Sequence, residues 1–184
     1  MFNALTGMNQ HTGNWAGKTV SSAMGRCTYN NKKYVLADIP GTYSLMAQSA
    51  EEEVARDFIC FQNPDAVIVV CDATCLERNL NLVLQTIEIT PKTVVCVNLL
   101  DEAERKNIHV DIKKLETFLG VPAVGVTARE GKGLDKLMEA VERVIENRPE
   151  SPFIPVYDAE LEEEIQKITA AAEPLTNGKI SPRW

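Results

Sequence analysis

An acid and a glycine stand close together where an apolar stretch of the sequence ends, in Asp38-Ile39-Pro40-Gly41. A carboxylate at the end of a strand can hold Mg²⁺ through water, because oxygen is the ligand that this ion prefers. A glycine has no side chain to keep a phosphate from the backbone N–H. The run therefore predicts Asp38 as a metal ligand and the Gly41 N–H as a phosphate contact. For this run alone, an ordinary strand-to-turn transition remains the alternative.

A second pair of polar residues follows another apolar stretch, in Asn98-Leu99-Leu100-Asp101. A carboxylate can accept hydrogen bonds from the ring N–H and the exocyclic amine of guanine, and adenine lacks that donor pair. Asp101 is therefore a candidate for selecting guanine, with Asn98 beside it. Alone this motif is weak, because Asn and Asp are common in loops.

A third polar run, Thr127-Ala128-Arg129, follows the short apolar segment that starts at Ala123. A backbone N–H at this position would meet the carbonyl oxygen of guanine. Ligands of parallel α/β sheets bind beyond the carboxyl ends of the strands, which is where all three runs fall. The order of the three runs along the chain, each after its own strand, favours a guanine-nucleotide site.

Gly17-Lys18-Thr19 resembles the end of a phosphate-binding loop but has the wrong spacing. Such a loop needs Gly-x-x-x-x-Gly-Lys-[Ser/Thr] between a strand and a helix. Thr12 stands where the first glycine is required, and no apolar strand precedes it. We therefore interpret Lys18 as a solvent-facing residue.

Strand-like and helix-like patterns alternate along the chain. A hairpin is predicted to end at Asp38, and apolar strands and amphipathic helices follow it. The strands are 66–72, 93–98 and 123–127, and the helices are 51–61, 76–90, 111–119, 134–146 and 158–172. This alternation predicts an α/β fold with a mostly parallel sheet that helices cover on both faces.

Composition narrows the class of protein. The 184 residues are 45% hydrophobic and 24% charged, with a net charge of -7. No apolar run approaches the roughly 20 residues that cross a bilayer, so we expect a soluble chain. Basic residues do not cluster, which argues against nucleic acid as a partner. Acidic residues concentrate in 158–173, which is typical of a solvated helix face.

Three stretches together resemble the cytosolic G domain of the FeoB family, the bacterial ferrous-iron transport protein B. They are Phe2-Asn3-Ala4-Leu5-Thr6-Gly7, the run Gly13-Asn14-Trp15-Ala16-Gly17-Lys18-Thr19-Val20, and Asp38-Ile39-Pro40-Gly41-Thr42-Tyr43-Ser44. Asn98 to Ala103 is similar to the guanine motif of that family, with an apolar residue in place of the usual lysine.

The resemblance implies a P-loop-type G domain that binds GTP, GDP and Mg²⁺. Residues 9–20 would be switch I and 38–48 switch II. Thr19 would bind Mg²⁺ and the γ-phosphate, which makes Thr19 and Gly41 the candidate catalytic residues. The implied partner is the transmembrane permease part of the same parent protein, at the cytoplasmic face of the inner membrane. Thr42 follows Gly41 where Ras-like enzymes have glutamine, so slow hydrolysis is expected.

In the family the first strand and the phosphate loop come before the Phe-Asn-Ala-Leu-Thr-Gly stretch, which here begins at Phe2. We therefore expect an N-terminally truncated G domain with reduced nucleotide affinity. The missing strand would lie between the strand of Val35 and the strand of Val67. Both strands would then have an unpaired edge, so we expect low stability.

The predicted organisation has three parts: a partial G domain over 1–148, a proline-rich linker over 149–157, and the start of a helical spacer over 158–184. Two alternatives to a GTP-binding regulatory domain remain. One is a G-like module that hydrolyses nothing and only binds a partner, and the other is a soluble GTPase related to Era or Der.

Overall fold

The computed structural model describes residues 1–8, 23–46, 48–147, 153 and 155–176. The predicted switch I, including Thr19, lies outside these residues, as do most of the predicted linker and the last part of the spacer. The described residues comprise two sheets, their helices and one helix of the predicted spacer.

An antiparallel hairpin opens the described strands. β1 (Ala23–Tyr29) pairs with β2 (Lys32–Asp38) through a two-residue turn. Asn30 and Asn31 both have positive φ, 47° and 59°. Two consecutive left-handed residues match the right-handed twist of the strands, and asparagine tolerates that conformation better than most residues. The hairpin predicted to end at Asp38 is confirmed.

The second sheet is parallel and has the order β3-β4-β5. Its strands are β3 (Val67–Asp72), β4 (Thr93–Asn98) and β5 (Ala123–Gly125). β4 lies in the middle, and its residues Thr93 to Val97 are all buried. A strand with helices on both faces has no polar side, which explains its continuous apolar sequence.

Seven α-helices are present within the described ranges, and two of them were not predicted. They are α1 (Phe2–Thr6), α2 (Ala50–Phe61), α3 (Leu76–Ile89), α4 (Leu100–Arg105), α5 (Ile112–Leu119), α6 (Leu134–Glu146) and α7 (Ala159–Thr176). Five agree with the sequence predictions to within a few residues. α1 and α4 are the unpredicted pair, since a helix of five or six residues is too short to show a period. None of these helices is long and apolar enough to cross a membrane.

Polar residues cap several of the helices, α2 and α5 among them. The Ser49 hydroxyl accepts a hydrogen bond from the Glu52 N–H, and the Glu52 carboxylate accepts one from the Gln48 N–H. Because Gln48 precedes the N-cap Ser49, this arrangement is a variant of the capping box, in which the carboxylate accepts from the N-cap N–H itself. At the start of α5 the Asp111 carboxylate accepts a hydrogen bond from the Lys114 N–H. The helix ends at Gly120, whose φ is 63°. The predicted stop at Gly120 is therefore confirmed.

Side chains of β4 alternate between two hydrophobic clusters. Val95 and Val97 pack with residues of α2, α3 and β3 on one face. Val94 and Cys96 pack with Leu137 and its neighbours in α6 on the other face. Each fully buried valine or leucine contributes about 1.5–3 kcal/mol relative to an exposed position, so β4 is the centre of the core.

The two sheets are not joined by strand pairing in the described part of the chain. β2 is bonded only to β1, and β3 only to β4. Val35 of β2 and Val70 of β3 are both exposed. The separation agrees with the expected unpaired edges.

The hairpin is attached to α6 by polar contacts instead. The Tyr34 hydroxyl donates to Glu142 over 2.7 Å, and the Lys32 ammonium contacts Glu146 over 2.8 Å. Asn30 donates to the other oxygen of Glu142 over 2.9 Å. Burial and the Glu142 hydrogen bond raise the pKa of Tyr34 to about 12, so Tyr34 remains a donor across the physiological range.

Candidate functional site

The loops that follow β4 and β5 meet at one place, and they carry five of the predicted site residues. The side-chain oxygen of Asn98 accepts a hydrogen bond from the Ala128 N–H over 3.1 Å. The Leu100 N–H reaches the carbonyl oxygen of Val126 over 3.4 Å. These contacts hold the Asn98–Asp101 loop against the loop that begins at Thr127. Residues of the two predicted guanine motifs are therefore neighbours in the structure.

Leu99 gives the first of these loops its shape. Its φ is 64°, in the left-handed region that leucine rarely adopts. This residue precedes α4, and its carbonyl oxygen accepts from the N–H groups of Glu102 and Ala103. Strained backbone of this kind concentrates at functional sites. The turn puts Asn98 at the end of β4 and Asp101 in the first turn of α4.

Asp101 lies between two arginines. Its Oδ2 atom is 2.8 Å from Arg105 and 3.3 Å from Arg129. Arg105 is four residues further along α4, a spacing that brings side chains together on a helix surface. Arg105 was not among the predicted site residues, because α4 was not predicted.

A short bridge closes the second loop. Thr127 and Lys132 exchange two backbone hydrogen bonds, of 3.0 and 3.3 Å. Gly131 and Gly133 have φ values of 72° and 81°. These two left-handed glycines turn the chain from β5 into α6. The Ala128 N–H already donates to Asn98, so a base carbonyl contact by this loop requires another donor or a rearrangement.

Asp38 is the last residue of β2 in the hairpin sheet, and Gly41 lies three residues beyond it. Asp38 is partly buried, and this desolvation raises the pKa of its carboxyl, while the amino group of Met1 lowers it by less. Gly41 is exposed, and a Cβ there would meet no atom of the described residues within 4 Å. The described residues thus leave the backbone of Gly41 accessible, which suits a ligand approaching it.

We predict a pH-dependent stability difference for Asp38→Asn. A carboxyl with a raised pKa binds more protons in the folded than in the unfolded state, so stability falls as pH rises from its ordinary range near 4 through the folded pKa. Asparagine has no charge to desolvate. The variant should therefore gain stability over the parent as pH rises from 4 to 7 in urea unfolding experiments.

Asp135→Asn on the exposed face of α6 removes the same formal charge and is the matched control. A gain for Asp38→Asn that is equal at pH 4 and pH 7 would contradict the prediction.

The predicted switch II segment is attached to α3. The side-chain oxygen of Gln85 accepts from the Leu45 N–H over 2.8 Å and lies 3.4 Å from the Ser44 hydroxyl. Leu45 is buried in the core cluster of β3 and α3. The Arg78 guanidinium stacks on the Tyr43 ring at 3.8 Å from its centre. Gln85 and Arg78, the two α3 residues in these contacts, were not among the predicted site residues, because neither is near a recognisable motif.

Gln85→Ala should destabilise the chain by about 1–2 kcal/mol, because the Leu45 N–H beside the core loses its acceptor. Gln85→Glu keeps an acceptor oxygen at the same position and should retain most of the stability. Urea unfolding of both variants measures this. Equal losses in the two variants would show that the hydrogen bond to Leu45 is not the cause.

Comparison with known proteins supports the resemblance. Residues 1–141 match the family model described as "Ferrous iron transport protein B". The Fe(2+) transporters FeoB of Salmonella typhimurium and Escherichia coli are each 40% identical over 147 residues, which is 78% of this chain and 19% of theirs. The chain belongs to the FeoB family. It spans about a fifth of the length of these FeoB relatives.

Solved FeoB structures share the fold. The cytosolic domain of T. maritima FeoB in its GMPPNP form has a TM-score of 0.87 at 34% identity, over 99% of this chain and 71% of that chain. The FeoB G-domain of Methanococcus jannaschii has a TM-score of 0.67 at 35% identity, over 79% and 88% of the two chains. The predicted fold class, a G domain with a parallel sheet and covering helices, is confirmed. The structure is thus similar to those of FeoB cytosolic domains and G domains.

Proposed function

We propose that this chain binds guanine nucleotides and is a regulatory GTP-binding domain of a ferrous-iron transporter. The observation that carries this proposal is the joining of the Asn98–Asp101 loop to the Thr127–Arg129 loop, through the bond between Asn98 and Ala128. Two solved structures of the cytosolic domain of T. maritima FeoB, described as its GMPPNP and GDP forms, support it.

In this proposal Asp101 selects the base. Its carboxylate accepts the ring N–H and the exocyclic amine of guanine, while Asn98 keeps the Thr127-Ala128-Arg129 loop beside the base. A charged acceptor makes these hydrogen bonds stronger than neutral ones. The ordered loop therefore recognises the base through few, well-placed groups.

Asp38 and Gly41 would face the phosphates. The Asp38 carboxylate is a hard oxygen ligand, and Mg²⁺ needs only one or two protein oxygens when phosphates and water complete its shell. Asp38 therefore fits the ion, with the hydroxyl of Thr19, outside the described residues, as the second candidate ligand. When bound, Mg²⁺ would neutralise phosphate charge. The Gly41 N–H would reach the terminal phosphate because no side chain intervenes.

Slow turnover is part of the proposal. The Thr42 hydroxyl donates to the Ser44 carbonyl oxygen over 2.5 Å and accepts from the Ser44 N–H over 3.1 Å. Both bonds are internal to the turn, so this hydroxyl is committed to structure and is poorly placed to orient a water. The permease partner and the location at the inner membrane follow from the parent transporters and belong to the same proposal.

Fluorescent GDP and ADP analogues, titrated against the chain, test the function. We expect GDP to bind in preference to ADP, and weakly, because the 184 residues contain no Gly-x-x-x-x-Gly-Lys-[Ser/Thr] loop. A version with a strand and such a loop placed before Met1 should bind at least about tenfold more tightly, since backbone N–H groups and a lysine then hold the phosphates.

Tight GDP binding by the unextended chain would contradict the expected loss of affinity. Absence of GDP preference in both versions would contradict the proposed function and would favour a module that only binds a partner.

A further inference from the structure

The two arginines beside Asp101 contact the same carboxylate oxygen. Arg105 approaches Oδ2 to 2.8 Å and Arg129 approaches it to 3.3 Å. The Asp101 side chain is 18% exposed, whereas the side chains of Arg105 and Arg129 are 64% and 71% exposed. The acid is therefore held within the site while both cations reach it from solvent.

A carboxylate has about four acceptor positions, two on each oxygen. Two guanidinium N–H groups use both positions of Oδ2. Guanine recognition requires one acceptor position on each oxygen, for the ring N–H and for the exocyclic amine. Two arginines and a guanine cannot all be accommodated on Asp101 in this arrangement, so one arginine has to leave Oδ2.

The geometry points to Arg129 as the residue that leaves. Its contact is the longer of the two, and it extends from a loop that two glycines shape. Arg105 is carried on the same helix as Asp101, at the favourable i to i+4 spacing. We propose that Arg129 competes with the exocyclic amine of guanine for Asp101, and so reduces the preference of this site for guanine. This inference rests on the proposed role of Asp101 in base binding.

The competition has a chemical signature that distinguishes two bases. Hypoxanthine has the ring N–H of guanine but lacks its exocyclic amine, so it needs only one carboxylate oxygen. Arg129 therefore opposes guanine more than hypoxanthine. The ratio of the inosine diphosphate to the guanosine diphosphate dissociation constant measures this effect, and contributions of the phosphates cancel in it.

Arg129→Ala should raise this ratio by about two- to fivefold, which is the size expected for an exposed ion pair. Lys132→Ala is the matched control, because Lys132 lies in the same loop, carries the same charge and pairs with Glu130. It should leave the ratio unchanged. Arg129→Lys retains a cation that can reach Asp101 and should give a ratio near that of the parent chain.

An unchanged or lower ratio in Arg129→Ala would overturn the inference, since a lower ratio means that Arg129 orients Asp101 for guanine. A second measurement needs no nucleotide. Amide hydrogen exchange at 128–131 should be faster in Arg129→Ala than in Lys132→Ala, because the contact to α4 is lost. Equal exchange would overturn the inference whether or not nucleotide binds. If exchange at 128–131 differed between the two variants as expected but neither nucleotide bound, the result would contradict the proposed function, and with it the competition.

Discussion

Asp101→Asn should weaken GDP binding by about 10- to 100-fold, because an amide replaces a charged acceptor and presents a donor to the donor groups of guanine. Xanthosine diphosphate should lose much less affinity or gain some. Xanthine carries a carbonyl oxygen where guanine carries its exocyclic amine, and the asparagine NH₂ can donate to that oxygen. Competition of both nucleotides against a fluorescent GDP analogue measures the change.

Glu104→Gln is a matched control for this variant. Glu104 is an exposed acid on the same helix, so the substitution removes the same charge without altering a base contact. It should leave both affinities within about twofold, as is usual for an exposed charge. If Asp101→Asn weakened both nucleotides to the same extent, the assigned role in guanine selection would be wrong.

The second large effect is expected at Gly133. Gly133→Ala should reduce the free energy of unfolding by about 2–5 kcal/mol, through left-handed backbone strain together with overpacking. Its φ is 81°, and an added Cβ would overlap the carbonyl oxygen of Gly125 and lie 3.3 Å from the Cα of Val126. These are backbone atoms of β5 and its continuation, so the strand itself would have to shift. Urea or thermal unfolding measures the loss.

Gly131→Ala separates the two causes. Gly131 has a similar φ of 72°, but an added Cβ there would meet no atom of the described part of the chain within 4 Å. The control should lose only about 1–2 kcal/mol, from backbone strain alone. Equal losses at the two positions would contradict the close packing of Gly133 on β5. Because Gly133 also supports the loop of Arg129, its substitution should weaken GDP binding as well.

The central elements could be predicted because their patterns are strong. The apolar runs of β3 and β4 can be recognised from the sequence alone, because a strand buried on both faces has few polar residues. Long helices such as α6 show their period, and Gly120 marks the end of α5. α1 and α4 could not be predicted in the same way. α4 has six residues and starts from a left-handed leucine, so its existence depends on packing of the loop.

The site was predictable in residue types and only partly in contacts. Polar residues after β4 and β5 indicated a base site, because neighbouring parallel strands end at one edge of the sheet. The bond between Asn98 and Ala128 joins residues 30 positions apart and follows from the register of β4 and β5. Gln85 illustrates the limit. Its amide contacts Leu45 across 40 positions, and nothing local marks a helical glutamine as the acceptor for a distant backbone N–H.

The sequence alone was sufficient for the α/β class, the positions of the main strands, the candidate residues Asp38, Asn98 and Asp101, and the resemblance to FeoB. The fold class, the strands and the candidate residues depend on local periodicity and on residue types near strand ends, whereas the resemblance depends on short motifs such as Asp38 to Ser44. Tertiary structure decided which groups contact the same atom, as Arg105 and Arg129 do on Oδ2 of Asp101. It also decided that the hairpin is attached to α6 through Glu142. Such contacts depend on distances between separate elements, and those distances are set only when the elements pack.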